Sequence, residues 1–438
     1  MTEVTVGIDI GTTSVKAVAA DGDGRVVARA RVPHQLRVPA PARLEHDADE
    51  AWRRGPRAAL DALDVDAGSV RGVSVAAMVP SLTAVDAAGV PIAPGLLYGD
   101  ERGRTTSAGS PAESGELLAF LGWLLQHAAA AGGYWPAQAV ANHALAGAAV
   151  LDTSTAATAA GLLDWSTGGW DEQAATAAGI STVQLPRLVP TGLEAGRVDG
   201  DGPPLASGCI DALAEQLVAG ADDDGDVLVI LGTTLIVWVV TERTDQVPGY
   251  WTIPHTAAGK MLVGGPSNAG GLFLDWVGRL LETGEPPRDP GAVPVWAPYP
   301  RGERVPFHDP YRRAALADLD LTHGAGALRR AAYEASGFCA RRIIEASGAP
   351  TRRIVATGGG TRVDAWVQAL ADTTGLPVDC VAVPEGGALG SAWLARIAAG
   401  LEDPMAMTEG RRWARTERRV EPDARWHAAA SERYLRFL

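Results

Sequence analysis

One eight-residue pattern occurs twice in this chain. Ile8-Asp9-Ile10-Gly11-Thr12-Thr13-Ser14-Val15 lines up with Val229-Ile230-Leu231-Gly232-Thr233-Thr234-Leu235-Ile236. Each copy reads as an aliphatic strand, a Gly-Thr-Thr turn and a second strand. The copies open the two halves of a 438-residue sequence. The chain is therefore expected to be α/β and to form two domains of one type, residues 1–224 and 225–438, rather than several unrelated ones. The turns also carry a chemical expectation. Glycine admits close approach of a ligand to the backbone, successive turn amides form an anion-binding nest, and threonine hydroxyls add donors. Two such turns facing each other would grip a polyphosphate from both sides. The alternative is two ordinary hairpins with similar turn residues.

Other phosphate-binding motifs are missing. A P-loop needs Gly-Lys-Ser/Thr, but Lys16 follows Val15 and Gly259-Lys260 is followed by Met261. A dinucleotide fingerprint fails at Gly358-Gly359-Gly360, where Val363 occupies the last position.

Composition removes whole classes of function. The sequence is 47% hydrophobic and 21% charged, which is globular and not disordered. It carries 38 basic and 52 acidic residues, a net charge of −14. Such a surface repels phosphate backbones and anionic lipid, so neither nucleic acid nor a membrane surface is an expected partner. Lys16 and Lys260 are the two lysines. The three cysteines, Cys209, Cys339 and Cys380, lack the spacing of a disulfide framework or zinc site. The N-terminus shows no secretory signal. The most apolar run, Val227–Val240, is 14 residues, short of the roughly 20 that span a bilayer. A cytoplasmic location is expected.

Pattern and punctuation predict strands at Thr5–Ile10, Val15–Ala19, Arg25–Val32, Val73–Val75, Val227–Leu231 and Leu235–Val240, and a hairpin from Leu82–Val85 and Pro91–Leu97. Helices are predicted at Ala48–Leu63, Leu117–Ala130, Ala137–Ala148, Ala212–Val218, Leu272–Leu281, Ala327–Ala346, Ala365–Thr374 and Leu389–Ala399. The Arg-rich end, with eight arginines in its last 38 residues, is expected to form a terminal helix on the second domain.

Several segments, taken in order, carry a family resemblance. They are Gly7–Lys16; Val73–Arg102, ending Leu97-Tyr98-Gly99-Asp100-Glu101-Arg102; Asp152–Asp164; Gly208-Cys209-Ile210-Asp211; Leu231–Thr234; Pro298-Tyr299-Pro300-Arg301-Gly302-Glu303-Arg304-Val305-Pro306; and Ala356–Gly360 with Trp366, Gln368 and Asp372. Together they resemble the FGGY carbohydrate kinases, in particular the xylulokinase-like members, within the actin/hexokinase/Hsp70 superfamily. The resemblance implies two ribonuclease-H-like (actin-like ATPase) domains with the active site in the cleft between them. It implies an ATP-dependent kinase that phosphorylates a hydroxyl of a small sugar or polyol. Asp211 would be the general base, although an aspartate there also suits a helix N-cap. Asp9 would hold Mg²⁺. Gly11, Thr12, Thr13, Gly232, Thr233 and Thr234 would bind phosphates, and Gly358, Gly359 and Gly360 would receive the adenosine. Lys16 lies either near the phosphates or at the surface of the second strand. Asp100 and Arg102 would contact the sugar or form a surface ion pair. A homodimer is left open.

The sequence departs from the family pattern at one wall. Xylulokinases usually carry Ser-Gly-Gln-Met-His-Gly, where this chain has Ala76-Ala77-Met78-Val79-Pro80-Ser81. Met78 replaces Gln and Pro80 replaces His, while Tyr98 and Gly99 stand for Trp and Asn. Losing an amide and an imidazole predicts an altered sugar pocket, suited to a deoxy sugar, polyol, cyclitol or bulkier glycoside; the simpler alternative is that backbone groups and waters cover the loss. The stretch after Arg104 is also shorter than in relatives. A non-catalytic sugar- or nucleotide-responsive regulator on the same scaffold is the alternative.

Overall fold

The computed structural model describes residues 3–40, 43–103, 116–128, 131–159, 161–164, 166–255, 259–309, 311–382 and 385–438. The first residues of the stretch after Arg104 lie outside these. The chain forms two compact units, Met1–Gly220 with Val383–Trp413, and Ala221–Ala382 with Ala414–Leu438.

In the first unit, β1 (Val4–Ile10), β2 (Ser14–Ala20) and β3 (Val26–Pro33) form an antiparallel meander, and β4 (Val70–Ala77) lies parallel to β1. The sheet continues from β4 through Pro204–Ala206 to Glu194–Arg197, and Cys209–Ile210 also pairs with β4. β1 is buried along its whole length, whereas β3 alternates half-buried and exposed residues, as an edge strand with one wet face should. Val6, Ile8, Val73, Val75 and Trp52 lie in its main core.

The second unit repeats the plan. β5 (Asp226–Leu231), β6 (Leu235–Thr241) and β7 (Met261–Ser267) form the meander, and β8 (Arg353–Thr357) runs parallel to β5. Val378–Ala382 and Arg415–Val420 extend the sheet beyond β8, and Trp251–Pro254 extends it beyond β7. The helices Ala325–Ser347 and Asp364–Thr374 cover it, and the terminal helix Ala424–Phe437 packs in the same unit.

The expected hairpins and helices around both turns are present within a few residues of their predicted ends. Two features were not anticipated. The strand Met261–Ser267 contains Gly264-Gly265-Pro266, which reads as a turn. The glycines are needed there because a Cβ on Gly264 would lie 2.0 Å from the Val237 carbonyl oxygen. The second feature concerns residues 383–413, which the sequence reading placed in the second half. They pack with the first unit, because the helix Gly387–Ala398 lies on β1 and β4 through small residues. A Cβ on Gly7 would fall 1.8 Å from the Ala388 oxygen, and one on Gly72 would fall 2.4 Å from that of Ala395.

Candidate active site

The first unit brings its chemistry to the carboxyl ends of parallel strands, where α/β sheets characteristically bind ligands. In register, Asp9 and Cys209 both pair with Ala76, and Ile10 and Ile210 both pair with Ala77. Asp211 therefore leaves its short strand at the same level as the end of β1, with β4 between them. It is the first residue of the helix Asp211–Ala219, with Ile210 as N-cap, so the N-cap reading is displaced by one position. Its Oδ1 accepts the Ala212 amide at 2.7 Å. Lys16 is the direct cross-strand partner of Asp9, which puts both side chains on one face of the sheet. Its Nζ lies 3.7 Å from Glu385 Oε2.

Asp9 is 9% exposed, and its buried Oδ1 has no hydrogen-bond partner. Burial, then the charge of Asp211, push its carboxyl up to about 8; Lys16 opposes this, and Glu215 and Glu385 add to it. A carboxyl that burial and a neighbouring carboxylate both disfavour as an anion fits a divalent cation. No group of three or more metal-binding side chains occurs among the described residues. One or two protein carboxylates suit Mg²⁺, which keeps most of its waters.

Packing fixes the first turn from behind. His34 N donates to Thr13 O at 3.0 Å, and His46 Nε2 lies 2.8 Å from Thr12 O. Trp52 Nε1–H donates to His46 Nδ1 at 3.0 Å. The two His46 contacts together require a neutral ring protonated at Nε2. In a trans peptide the N–H points opposite the C=O, so pinning these carbonyls turns the Thr13 and Ser14 amides the other way. The Thr12 and Tyr98 hydroxyls share a hydrogen bond of 2.5 Å.

This arrangement sets a pH dependence of stability. Burial, then His34, lower the His46 pKa to about 4, and burial lowers that of His255 to about 4 as well. Unfolded, both would bind a proton near 6.5. Between those values the unfolded chain holds more protons, so their stabilisation is complete above about 6.5 and lost as pH falls through 4. For fully buried His46 the loss is roughly 3 kcal/mol. Thermal melts of the ligand-free protein from pH 7 to 4.5 should show this slope, and His46→Gln should flatten it. An unchanged slope in that variant would remove His46 from the account.

The expected sugar contacts require correction. Asp100 is fully buried and Arg102 is 7% exposed. Arg102 Nη2 meets Asp100 Oδ2 at 2.6 Å, Arg102 Nη1 meets Glu45 Oε2 at 2.7 Å, and Asp100 Oδ2 also accepts the Leu44 amide at 2.7 Å. The guanidinium stacks on Trp123, 4.8 Å from the ring centroid. The pair is neither a surface ion pair nor an exposed sugar clamp; it ties the Glu45 strand to the loop after Leu97. Met78 is 2% exposed and belongs to the core, though the Ile210–Ala77 pairing sets it across from Asp211. Tyr98, half-buried against Thr12, is the one of the four that reaches the turn.

In the second unit Leu231 pairs with Leu235 around Gly232-Thr233-Thr234, and Gly232 N donates to Thr234 O at 3.2 Å. The first turn closes between Ile10 and Val15 and is one residue longer. Gly271 N and Leu272 N, at the start of the helix Gly271–Leu280, donate to the carbonyls of Gly232 and Thr233 at 2.8 and 3.1 Å. Gly358 and Gly359 are exposed, with φ at Gly358 of 86°. Gly360 is different: it is buried, and a Cβ there would lie 2.3 Å from the Trp366 ring. It is a packing glycine, not bare backbone for a ligand.

The sequence reading overlooked His46 and Trp52 behind the first turn, and Gly270-Gly271 behind the second. It also overlooked Glu385-Gly386-Gly387. Glu385 takes a left-handed φ of 59°, and a Cβ on Gly387 would sit 3.3 Å from Asp9 Oδ1. The Glu-Gly-Gly run opening a small-residue helix was the available signal.

Comparison with known proteins agrees with this geometry. Residues 4–110 match the N-terminal domain, and residues 227–399 the C-terminal domain, of the FGGY family of carbohydrate kinases. A gluconokinase of Bacillus licheniformis is 26% identical, over 92% of this chain and 89% of the relative. A xylulose kinase of Klebsiella pneumoniae is 26% identical, over 93% and 94%. The crystal structure of xylulose kinase from Rhodospirillum rubrum aligns with a TM-score of 0.87 at 26% identity, over 99% of this chain and 97% of that one. No described helix is long and apolar enough to cross a membrane. With two sheets of matching plan, a Gly-Thr-Thr turn in each and both halves of the family model matched, the chain belongs to the FGGY family of carbohydrate kinases: it has the two-domain actin-like ATPase fold and transfers a phosphoryl group from ATP to an alcohol.

Proposed function

We propose that the protein phosphorylates a small sugar or polyol resembling the substrate of a xylulose kinase but differing from it at one end, with Asp211 as general base. The observation that carries this reading is the convergence of Asp9, with its unpartnered buried oxygen, and Asp211 at the ends of strands paired to β4, beside the first Gly-Thr-Thr turn. Phosphoryl transfer asks a protein mainly for positioning, charge neutralisation and a proton acceptor. Asp211 accepts the proton of the attacking hydroxyl. Lys16 and the donors of Thr12, Thr13, Thr233 and Thr234 hold phosphate oxygens, and Gly358 and Gly359 leave space for the adenosine. Asp9 would hold Mg²⁺, which when bound neutralises charge on the phosphates. The apolar Val79-Pro80, next to the core residue Met78, supplies less hydrogen bonding to the acceptor than an amide and an imidazole would. An acceptor lacking one hydroxyl therefore loses less here than in a site built around those groups.

The test is ADP release from ATP and Mg²⁺ over a panel containing xylulose, gluconate, glycerol, cyclitols and deoxyketoses. Stimulation by one class, with a deoxy or polyol member at least equal to xylulose, is the expected result. Preference for xylulose by tenfold or more would sink the altered pocket. No stimulation by any acceptor would leave a regulator as the better reading.

A further inference from the structure

We infer that Glu303 is a positioning residue for the second Gly-Thr-Thr turn, setting nucleotide affinity from inside the second unit without touching the nucleotide. This rests on the reading of that turn as a phosphate site.

The motif Gly302-Glu303-Arg304 has no role in the chemistry above, and a carboxylate 3% exposed needs an explanation. Its oxygens are committed to the backbone and side chains around it. Glu303 Oε2 accepts the Ser267 hydroxyl at 2.7 Å, and Oε1 accepts the Asn268 amide at 2.8 Å and the Arg304 amide at 2.7 Å. Asn268 answers with its own amide group, Nδ2 donating to Gly302 O at 3.1 Å. Ser267 also receives the Ala269 amide on its Oγ at 3.1 Å. The carboxylate thus fixes the exit of β7, where Ser267 pairs with Leu235 immediately after the turn.

The next residues press on the turn. A Cβ on Gly270 would lie 2.3 Å from the Thr234 carbonyl carbon, so the two backbones are in direct contact. The helix that starts at Gly271 then takes the carbonyls of Gly232 and Thr233. Because N–H and C=O oppose each other in a trans peptide, those bonds aim the Thr233 and Thr234 amides away from the helix, as donors for an anion. The path from Glu303 to the turn is therefore carboxylate, Ser267 and Asn268, Gly270-Gly271, then the turn carbonyls. Charged hydrogen bonds hold its first step, and these lose much when one partner is removed.

The experiment measures ADP affinity by calorimetry, together with the KM for the acceptor and the melting temperature. Glu303→Ala should weaken ADP binding ~10–100-fold, the loss of one or two charged hydrogen bonds, with the acceptor KM within about twofold. Glu303→Gln keeps an acceptor and a polar group in place and should recover most of the affinity. Val378→Ala, a core truncation elsewhere in the same unit, should lower the melting temperature but leave ADP affinity alone. If Glu303→Ala does not fold, Ser267→Ala carries the test and should weaken ADP binding several-fold. Unchanged ADP affinity in a folded Glu303→Ala or Ser267→Ala, or equal loss in Val378→Ala, overturns the inference. Thr233→Glu, at an exposed position of the turn, separates the two readings. If it leaves ADP affinity intact, the turn is no phosphate site and the premise fails; if it abolishes binding while Glu303→Ala does not, the positioning role alone fails.

Discussion

Asp211→Asn is expected to lower turnover by roughly 10²–10⁴-fold, the range that a positioned general base contributes. ADP affinity and melting temperature should stay close to those of the parent protein. The structural reasons are specific. Asp211 Oδ1 accepts the Ala212 amide at 2.7 Å, a bond that an asparagine carbonyl oxygen can also make. The substitution removes one negative charge from the first turn of the helix Asp211–Ala219, a small cost where the helix dipole favours anions. It also removes a like charge that pushes Asp9 up, which offsets that cost. The loss should therefore be chemical: an amide cannot take the proton of the attacking hydroxyl. Single-turnover measurements with saturating acceptor would show it directly. Near-normal turnover would mean that another group is the base, and lost ADP binding would mean that Asp211 acts mainly in holding the nucleotide and its cation.

How far such roles could be read in advance depended on sequence distance. The paired turns were legible because each is a local event: an alternating strand, a glycine, two threonines and a returning strand fix a hairpin within a dozen residues. Lys16 was legible only as lying near the phosphates or at the surface of the second strand; the short hairpin that pairs it with Asp9 held the finer answer. Contacts that close long loops leave no such trace. Nothing around His46 announces that its ring will sit on Thr12, and nothing around Gly387 announces that it will approach Asp9. The three glycines at 358–360 show a further difficulty. Gly358 and Gly359 are exposed and Gly360 is buried under Trp366, yet a run of glycines looks the same whether a ligand or a tryptophan fills the space. Asp100 and Arg102 matched a sugar-binding pattern, but the structure spends their charges on each other and on Glu45. Burial decided that outcome, and burial was not visible in a segment crowded with charged residues.

Gly7→Ala is expected to destabilise the first unit by about 3 kcal/mol, the upper end for forcing a methyl group into a packed core. For a unit of this size that corresponds to a fall in melting temperature of about 6–12 °C. The added Cβ would lie 1.8 Å from the Ala388 oxygen and 2.4 Å from the Ala392 amide nitrogen. Both are helix backbone, so no side-chain rotation relieves the clash. The helix Gly387–Ala398 cannot simply move outward either. Thr5 Oγ1 donates to Ala392 O at 2.8 Å on the sheet side. On the opposite approach, a Cβ on Gly390 would lie 1.7 Å from the Ala214 oxygen of the Asp211–Ala219 helix. The small-residue helix is thus held closely against both β1 and the helix that begins with Asp211. Any displacement also shifts Gly387 from its place beside Asp9 and Asp211, so activity per folded molecule should fall along with stability. A matched control is Gly122→Ala, in the helix Glu116–His127, where a Cβ meets nothing within 4 Å. There the exchange should stabilise by up to about 1 kcal/mol, the helix preference of alanine over glycine. Thermal melts of the two variants decide the matter. If Gly7→Ala melts with Gly122→Ala, the close seat of this helix on β1 does not hold the first unit together.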